Sequence, residues 1–205
     1  MSEANHWVIV PAAGVGKRMG ASIPKQYLAL RGRPVIDHTL ERVLLHPSVD
    51  GVYVALAEDD SWWKESEFSG HPDLVRVAGG NERCFSVLNA LQALQGRARP
   101  HDWVLVHDAA RPCLSSEDRD RLIDTLSEDD VGGLLAVPVR DTMKRAEANG
   151  RIIDTVERDN LWHALTPQMF RIGLLRNALE QALENEHLVT DEASAMEYAG
   201  YQPLL

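Results

Sequence analysis

Glycines and basic side chains that could bind phosphate are concentrated near the start of the chain, in residues 11–25. This stretch follows the apolar run Trp7-Val-Ile-Val10, which predicts a buried strand. Glycines let a backbone bend sharply and lie close to a ligand with its amide groups free. Lys17, Arg18 and Lys25 add fixed positive charge. A strand leading into such a turn predicts a phosphate-binding loop, and so a protein that handles a nucleotide.

Two better-known glycine signatures do not fit this stretch, which begins Pro11-Ala-Ala-Gly-Val-Gly-Lys-Arg-Met-Gly20. The dinucleotide fingerprint needs G-x-G-x-x-G, but the spacing of Gly14, Gly16 and Gly20 is one residue too long. A P-loop needs Ser or Thr after Gly-Lys and a glycine five residues before it, and both are missing. The remaining alternative is an ordinary glycine-rich turn with incidental charges.

Composition limits the class of ligand and the compartment. The 205 residues suit a single domain, and a net charge of −10 argues against a nucleic-acid partner. Cys84 and Cys113 are the only cysteines and lack metal-ligand spacing, so free, buried thiols in reducing surroundings are expected. No apolar run approaches the ~20 residues of a membrane span, and no secretory signal pattern is present. We therefore expect a cytoplasmic protein with no membrane partner.

Strand-like and helix-like patterns alternate along the chain, which predicts an α/β fold with a mostly parallel sheet and helices on both faces. The predicted strands cover residues 7–10, 51–57, 74–78, 103–106 and 132–139. The predicted helices begin near Pro34, Cys84 and Ser115 or Ser116, and two more cover residues 172–186 and 191–198.

A polar, alternating segment at residues 141–155 interrupts this pattern. Asn149-Gly150 at its centre is a favoured hairpin dipeptide, so a two-stranded arm projecting from the sheet is predicted. A lone hairpin is marginally stable in water, so we expect it to pack on a second subunit. For its charged side chains the alternative is a solvated surface.

Polar segments follow four of the predicted strands, at residues 11–25, 79–86, 107–112 and 140–145. Ligands of open parallel sheets bind beyond the carboxyl ends of the strands, so we expect these segments to meet at one edge. No Ser-His-Asp order, zinc motif or pair of acids stands out. Nucleotidyl transfer needs little beyond positioning and charge neutralisation, which these segments could supply.

Three of these polar residues have two interpretations each. Asp108 could hold Mg²⁺ together with substrate phosphates, or it could pair with Arg111 as a loop carboxylate. His107 is better interpreted as a hydrogen-bonded loop residue than as a metal ligand. Asn81, in Gly79-Gly80-Asn81, could bind the edge of a nucleobase or cap the following helix.

Five segments together resemble the 2-C-methyl-D-erythritol 4-phosphate cytidylyltransferase family of the non-mevalonate isoprenoid pathway, and Thr190-Asp-Glu-Ala-Ser194 fits as well. The resemblance covers nearly the whole chain. The five segments are Val10–Met19, Pro24-Lys-Gln-Tyr27, Val106-His-Asp-Ala-Ala-Arg-Pro112, Pro138-Val-Arg-Asp-Thr-Met-Lys144 and Leu161-Trp-His-Ala-Leu-Thr-Pro-Gln168.

The resemblance implies a nucleotide-diphospho-sugar-transferase-like fold and a homodimer locked by the arm, at about residues 140–157. It implies CTP as co-substrate, Mg²⁺ or another divalent cation, and in-line attack by a phosphate oxygen of the acceptor on the α-phosphate. By the same resemblance, the catalytic residues are Arg18, Lys25, Thr142 and Arg158, the last two from the partner's arm, and Asp108 holds the metal. The residues implied around the nucleotide are Pro11, Ala12, Ala13, Gly14, Gly16, Gly80, Asn81, Ser86, Ala109 and Arg111.

The chain departs from the family pattern at two places. Asn81 stands where the family usually has Asp. The family's C-terminal segment, with an Asp and a Lys that help bind the acceptor, does not follow Leu205, and we expect truncation rather than loss. Two other functions stay open: a cytidylyltransferase for another polyol phosphate, such as ribitol 5-phosphate, or a nucleotide-binding protein without turnover.

Overall fold

The computed structural model describes residues 4–14 and 23–205, and its centre is a six-stranded sheet of order β5-β4-β1-β6-β10-β7. The strands of this sheet are β1 His6–Pro11, β4 Gly51–Leu56, β5 Leu74–Ala78, β6 Trp103–Val106, β7 Gly132–Pro138 and β10 Trp162–Arg171. Two small hairpins complete the strands, β2 Ala29–Leu30 with β3 Arg33–Pro34, and β8 Met143–Ala146 with β9 Ile152–Val156.

The sheet is mostly parallel, as predicted, with one inserted antiparallel strand. Val8 of β1 lies opposite Val52 of β4 on one side and Leu105 of β6 on the other, both in parallel register. Strand β10 runs antiparallel between β6 and β7. The sequence interpretation missed β10, because Pro167 and the buried Gln168 interrupt its apolar pattern and proline in a run argues against a central strand.

Helices cover both faces of the sheet, which confirms the predicted fold class. The helices are α1 Val35–Leu44, α2 Arg83–Ala93, α3 Ser116–Leu126, α4 Ile172–Glu184 and α5 Glu192–Tyr198. Helices α2, α4 and α5 pack with Ile9 and Phe170 on one face, and α1 and α3 pack with Val8 and Met169 on the other. Alternation along β1 therefore sends its side chains into two separate cores.

Capping side chains fix where helices α3 and α5 begin. The Ser115 hydroxyl accepts a hydrogen bond from the Asp118 amide at 3.1 Å, which selects Ser115 as the cap of α3. Asp191 and Ser194 form a reciprocal capping box on α5. Within residues 4–14 and 23–205, no helix is long and apolar enough to cross a bilayer.

The hairpin of β8 and β9 is the predicted arm, defined here as residues 140–157. Its strands pair with one another and not with the six-stranded sheet. Gly150 has φ +83° in the turn, as expected for a glycine at that place. The arm connects β7 to β10, so it extends the edge of the sheet where β7 ends.

Candidate functional site

Loops that follow β1, β5 and β6 line one cavity of about 260 Å³ at the carboxyl edge of the sheet. Three of the four polar segments predicted to meet are therefore brought together here, whereas the fourth, residues 140–145, does not line this cavity. The lining residues are Pro11, Ala12, Ala13, Gly14, Lys25, Gln26, Gly80, Asn81, Glu82, Arg83, Ser86, Asp108, Ala109 and Ala110.

Gln26 anchors the start of the first loop, residues 12–14. Its side chain is buried and Nε2 donates to the carbonyl oxygens of Ala12, at 2.7 Å, and Gly14, at 3.2 Å. Gln26 lies in a short 3₁₀ helix, Lys25–Tyr27, so the same segment presents Lys25 at the cavity. Sequence reasoning missed Gln26, and its place beside Lys25 in the quoted Pro-Lys-Gln-Tyr motif was the available signal.

Close backbone approach explains the glycines after β5. The Gly79 amide donates to the Leu56 carbonyl at 2.7 Å, and a Cβ on Gly79 would lie 2.2 Å from Cβ of Ala13. A side chain there would push the two loops of the cavity apart. The Gly80 amide donates to the buried Ser86 hydroxyl at 3.0 Å, which ties this loop to α2.

Asn81 is exposed at the cavity and does not cap α2. Glu82 is the residue that precedes the helix, and no side chain makes a capping hydrogen bond there. The capping interpretation of Asn81 is therefore wrong, which leaves its amide group available to a ligand.

Asp108 lies between two guanidinium groups. Its Oδ1 accepts from Arg83 Nε at 3.1 Å and its Oδ2 accepts from Arg111 Nε at 3.0 Å. Burial raises the pKa of Asp108, but Arg83 and Arg111 outweigh burial and bring the pKa below its usual value. The carboxylate is therefore ionised at neutral pH while facing the cavity. The predicted pairing with Arg111 is confirmed, whereas Arg83 was not predicted.

His107 is a buried, hydrogen-bonded loop residue, as interpreted from the sequence. Its Nε2 lies 2.9 Å from the Arg111 carbonyl oxygen, and its Nδ1 lies 3.0 Å from the Thr166 hydroxyl. Burial lowers the pKa of His107 below its ordinary value; the hydrogen bond to the Arg111 carbonyl and the charge of Asp108 oppose this shift, and the charge of the Arg111 guanidinium adds to it. The ring is therefore neutral and joins the loop after β6 to β10.

We expect the free energy of unfolding to fall as pH drops below about 6.5, the ordinary histidine pKa. At such pH His107 binds a proton in the unfolded chain but not in the folded protein, because its pKa is lowered there. The slope from this group is at most about 1.4 kcal/mol per pH unit. Urea denaturation of the wild type and His107→Gln at pH 7.5 and 5.5 measures it. Equal pH dependence in the two proteins would contradict the assignment.

Several predicted residues lie elsewhere. Thr142 on the arm and Arg158, the residue that follows the arm, are exposed and do not line the cavity. An Arg158 Nη1 group donates to the Arg140 carbonyl oxygen, which joins the two sides of the arm at its base. Gly16 and Arg18 fall outside the described residues.

An open, mostly parallel sheet with a cavity of small residues, a lysine and an ionised carboxylate at its carboxyl edge defines an α/β nucleotide-binding protein. Comparison with known proteins makes this class more specific. Residues 6–205 match the model of the IspD family, which is described as 2-C-methyl-D-erythritol 4-phosphate cytidylyltransferase. The chain belongs to this family, and the resemblance inferred from its motifs is confirmed.

Relatives and solved structures agree with this assignment. Proteins named 2-C-methyl-D-erythritol 4-phosphate cytidylyltransferase from Vibrio vulnificus strain CMCP6 and Pseudomonas aeruginosa PAO1 are each 54% identical. The alignments cover 96% and 97% of this chain and 83% and 86% of those proteins. The crystal structure of the Francisella tularensis cytidylyltransferase superposes with a TM-score of 0.85 at 38% identity, covering 98% of this chain and 88% of that one.

Proposed function

We propose that this protein transfers CMP from CTP to 2-C-methyl-D-erythritol 4-phosphate, giving CDP-methylerythritol and pyrophosphate. The observation that carries the proposal is the cavity itself, which combines Lys25, the close-packed loops at Ala13 and Gly79, and the ionised Asp108 in a chain of this family.

The reaction requires charge stabilisation and no covalent enzyme intermediate. A phosphate oxygen of the acceptor forms a bond to the α-phosphorus of CTP, and the bond from that phosphorus to pyrophosphate breaks with its electron pair. Lys25, at the cavity, is proposed to stabilise the negative charge that develops on the triphosphate, together with Arg18.

The cytidine is proposed to lie against the loops after β1 and β5. Small side chains at Ala12, Ala13 and Ala109 let the base and ribose approach the main chain closely. Asn81 carries both a donor and an acceptor that could bind the base edge, and Ser86 holds the Gly80 amide in place.

Asp108 is proposed to hold a divalent cation, and its surroundings fit that role. Within residues 4–14 and 23–205 no cluster of three or more His, Cys, Asp or Glu side chains could enclose a metal. Mg²⁺ commonly uses one or two carboxylates and takes its other ligands from substrate phosphates and water. Asp108 is ionised, faces the cavity and keeps unused lone pairs beside its two guanidinium partners. The cation would neutralise triphosphate charge.

A second copy of this chain is the proposed partner of the arm. Both strands of the arm are almost wholly exposed, although a lone hairpin is marginal in water. An apolar surface on and beside the arm supports burial against another protomer, which would bring Thr142 and Arg158 to the partner's acceptor site. Its exposed apolar residues are Val137, Met143, Ile152, Ile153, Leu161 and Trp162.

A single domain and a cytoplasmic location complete the proposal. The six-stranded sheet takes strands from the whole described chain, from β1 to β10, which supports one domain. Cys84 and Cys113 are free. Cys84 is buried as expected, whereas Cys113 is exposed and the expectation of burial is wrong there; an exposed free thiol suits a reducing compartment.

The test is pyrophosphate release from CTP with methylerythritol phosphate and ribitol 5-phosphate as parallel acceptors. We expect methylerythritol phosphate to be preferred, and a preference for ribitol 5-phosphate would overturn the proposed substrate. CTP binding without release with either acceptor would instead support a nucleotide-binding protein.

A further inference from the structure

A buried carboxylate outside the cavity is connected to it through one arginine. Glu192, the first residue of α5, is 1% exposed, and its Oε1 accepts a hydrogen bond from Arg83 Nη1. Its Oε2 is buried and has no hydrogen-bond partner among the described residues. Burying a carboxylate costs free energy unless it is paired, so the buried Glu192 carboxylate depends on the charge of Arg83 for its stability.

Arg83 contacts carboxylates on both sides. Its Nε donates to Asp108 at 3.1 Å, and Asp108 also accepts from Arg111. Burial lowers the pKa of Arg83, but Glu192 and Asp108 together raise it above its usual value, so the guanidinium stays charged. Burial raises the pKa of Glu192, and the paired Arg83 guanidinium opposes that rise and favours the carboxylate. With Glu192 as the carboxylate paired to Arg83, four groups alternate in sign from the interior to the cavity, in the order Glu192, Arg83, Asp108 and Arg111.

The position of Glu192 is set by the central sheet. Gln168 of β10 is buried, and its Oε1 accepts from the Ala193 amide at 2.8 Å. Its Nε2 donates to Asp191, the cap of α5, at 2.8 Å. Both bonds join the first turn of α5 to β10, so the Glu192 carboxylate cannot shift easily relative to the cavity.

We propose that Glu192 is a positioning residue whose negative charge offsets the positive charge of Arg83. Arg83 can then orient Asp108 while the Asp108 carboxylate keeps its attraction for a cation. This inference rests on the proposed function. The four groups together carry no net charge, and Glu192→Gln would leave them one unit positive. That change should weaken cation binding at Asp108 and leave the affinity for metal-free CTP, an anion, unchanged or higher. A purely structural role would weaken both.

Glu192→Gln should raise the Mg²⁺ concentration for half-maximal turnover about tenfold, the lower end of the usual effect of losing a direct partner of a ligand, because Arg83 stands between Glu192 and Asp108. Calorimetric titration of Mn²⁺ in the presence of CTP should show the same loss. CTP titrated without metal should bind at least as tightly as to the wild type. The matched control is Asp102→Asn, a buried carboxylate paired with Arg99 at the opposite end of β6.

Asp102→Asn should leave the Mn²⁺ and Mg²⁺ dependence unchanged even if it lowers stability. Equal cation affinity in Glu192→Gln and wild type, or parallel loss of metal-free CTP affinity, would overturn the inference.

The double variant Arg83→Gln with Glu192→Gln avoids an unpaired buried charge and remains testable if the single variant does not fold. It should return Mn²⁺ affinity toward the wild-type value, because the net charge around Asp108 is restored. A folded double variant whose Mn²⁺ affinity stays as far below that of the wild type as is expected for Glu192→Gln would contradict the charge argument. Because these titrations need no acceptor, they stay informative if wild-type turnover fails and the proposed function is wrong. Wild-type protein that binds neither CTP nor Mn²⁺ would overturn both.

Discussion

Replacing Lys25 with alanine should lower turnover by about a hundred- to a thousandfold, the usual effect of removing one fixed group that stabilises transition-state charge. Lys25 lies at the cavity beside the loop after β1, on a segment anchored by Gln26. Its ammonium is proposed to act on charge that develops at the triphosphate. The loss should therefore fall mainly on kcat, with a smaller change in the KM for CTP.

The fold should survive this substitution. The Lys25 side chain is exposed, and the contacts that anchor its segment belong to Gln26 and the Tyr27 hydroxyl, which donates to Asp60 at 2.8 Å. Lys64→Ala is the matched control, because Lys64 is also exposed in a short 3₁₀ helix but lies away from the cavity. Pyrophosphate release and thermal unfolding should be measured for both. Lys25→Ala with unchanged turnover would remove Lys25 from the mechanism.

Much of the fold follows from local patterns. The apolar runs of β1, β4 and β6 are buried on both faces, so they are apolar throughout and easily recognised as parallel strands. Strand β10 depends on tertiary structure instead. Its Gln168 is buried because it bonds the start of α5, and no local pattern indicates such a partner.

The residues of the candidate site likewise divide into those that local sequence patterns indicate and those that depend on tertiary structure. Residues that create close approach or charge, such as Gly80, Lys25 and Asp108, are visible as types at the ends of strands. Arg83 and Glu192 are not, because Arg83 reads as an ordinary surface residue of α2 and Glu192 as a favourable acid in the first turn of α5. Only the tertiary fold, which places α2 and α5 on the same face of the sheet, brings these two charges together across 109 positions of sequence.

Mixing two inactive variants should restore activity if the arm completes the partner's site. Lys25→Ala removes a group of the cavity and Arg158→Ala removes a group at the base of the arm, so each homodimer has two impaired sites. In a mixed dimer, one site carries both substitutions and the other carries neither. Random reassociation should therefore return about a quarter of the wild-type activity, far above either variant alone.

The matched control mixes Lys25→Ala with Asp108→Asn. Both substitutions lie at the cavity of one protomer, so every site of every mixed dimer keeps one of them, and no recovery is expected. Subunits should be exchanged by mild denaturation and refolding, with pyrophosphate release measured afterwards and sedimentation confirming dimers.

Recovery in both mixtures would point to an artefact of refolding. Absence of recovery in the Lys25→Ala and Arg158→Ala mixture, in dimeric protein, would mean that Arg158 serves its own protomer or none. A protein that is monomeric at working concentration would rule out the shared site, because no second copy would then cover the exposed apolar surface on and beside the arm and complete its site.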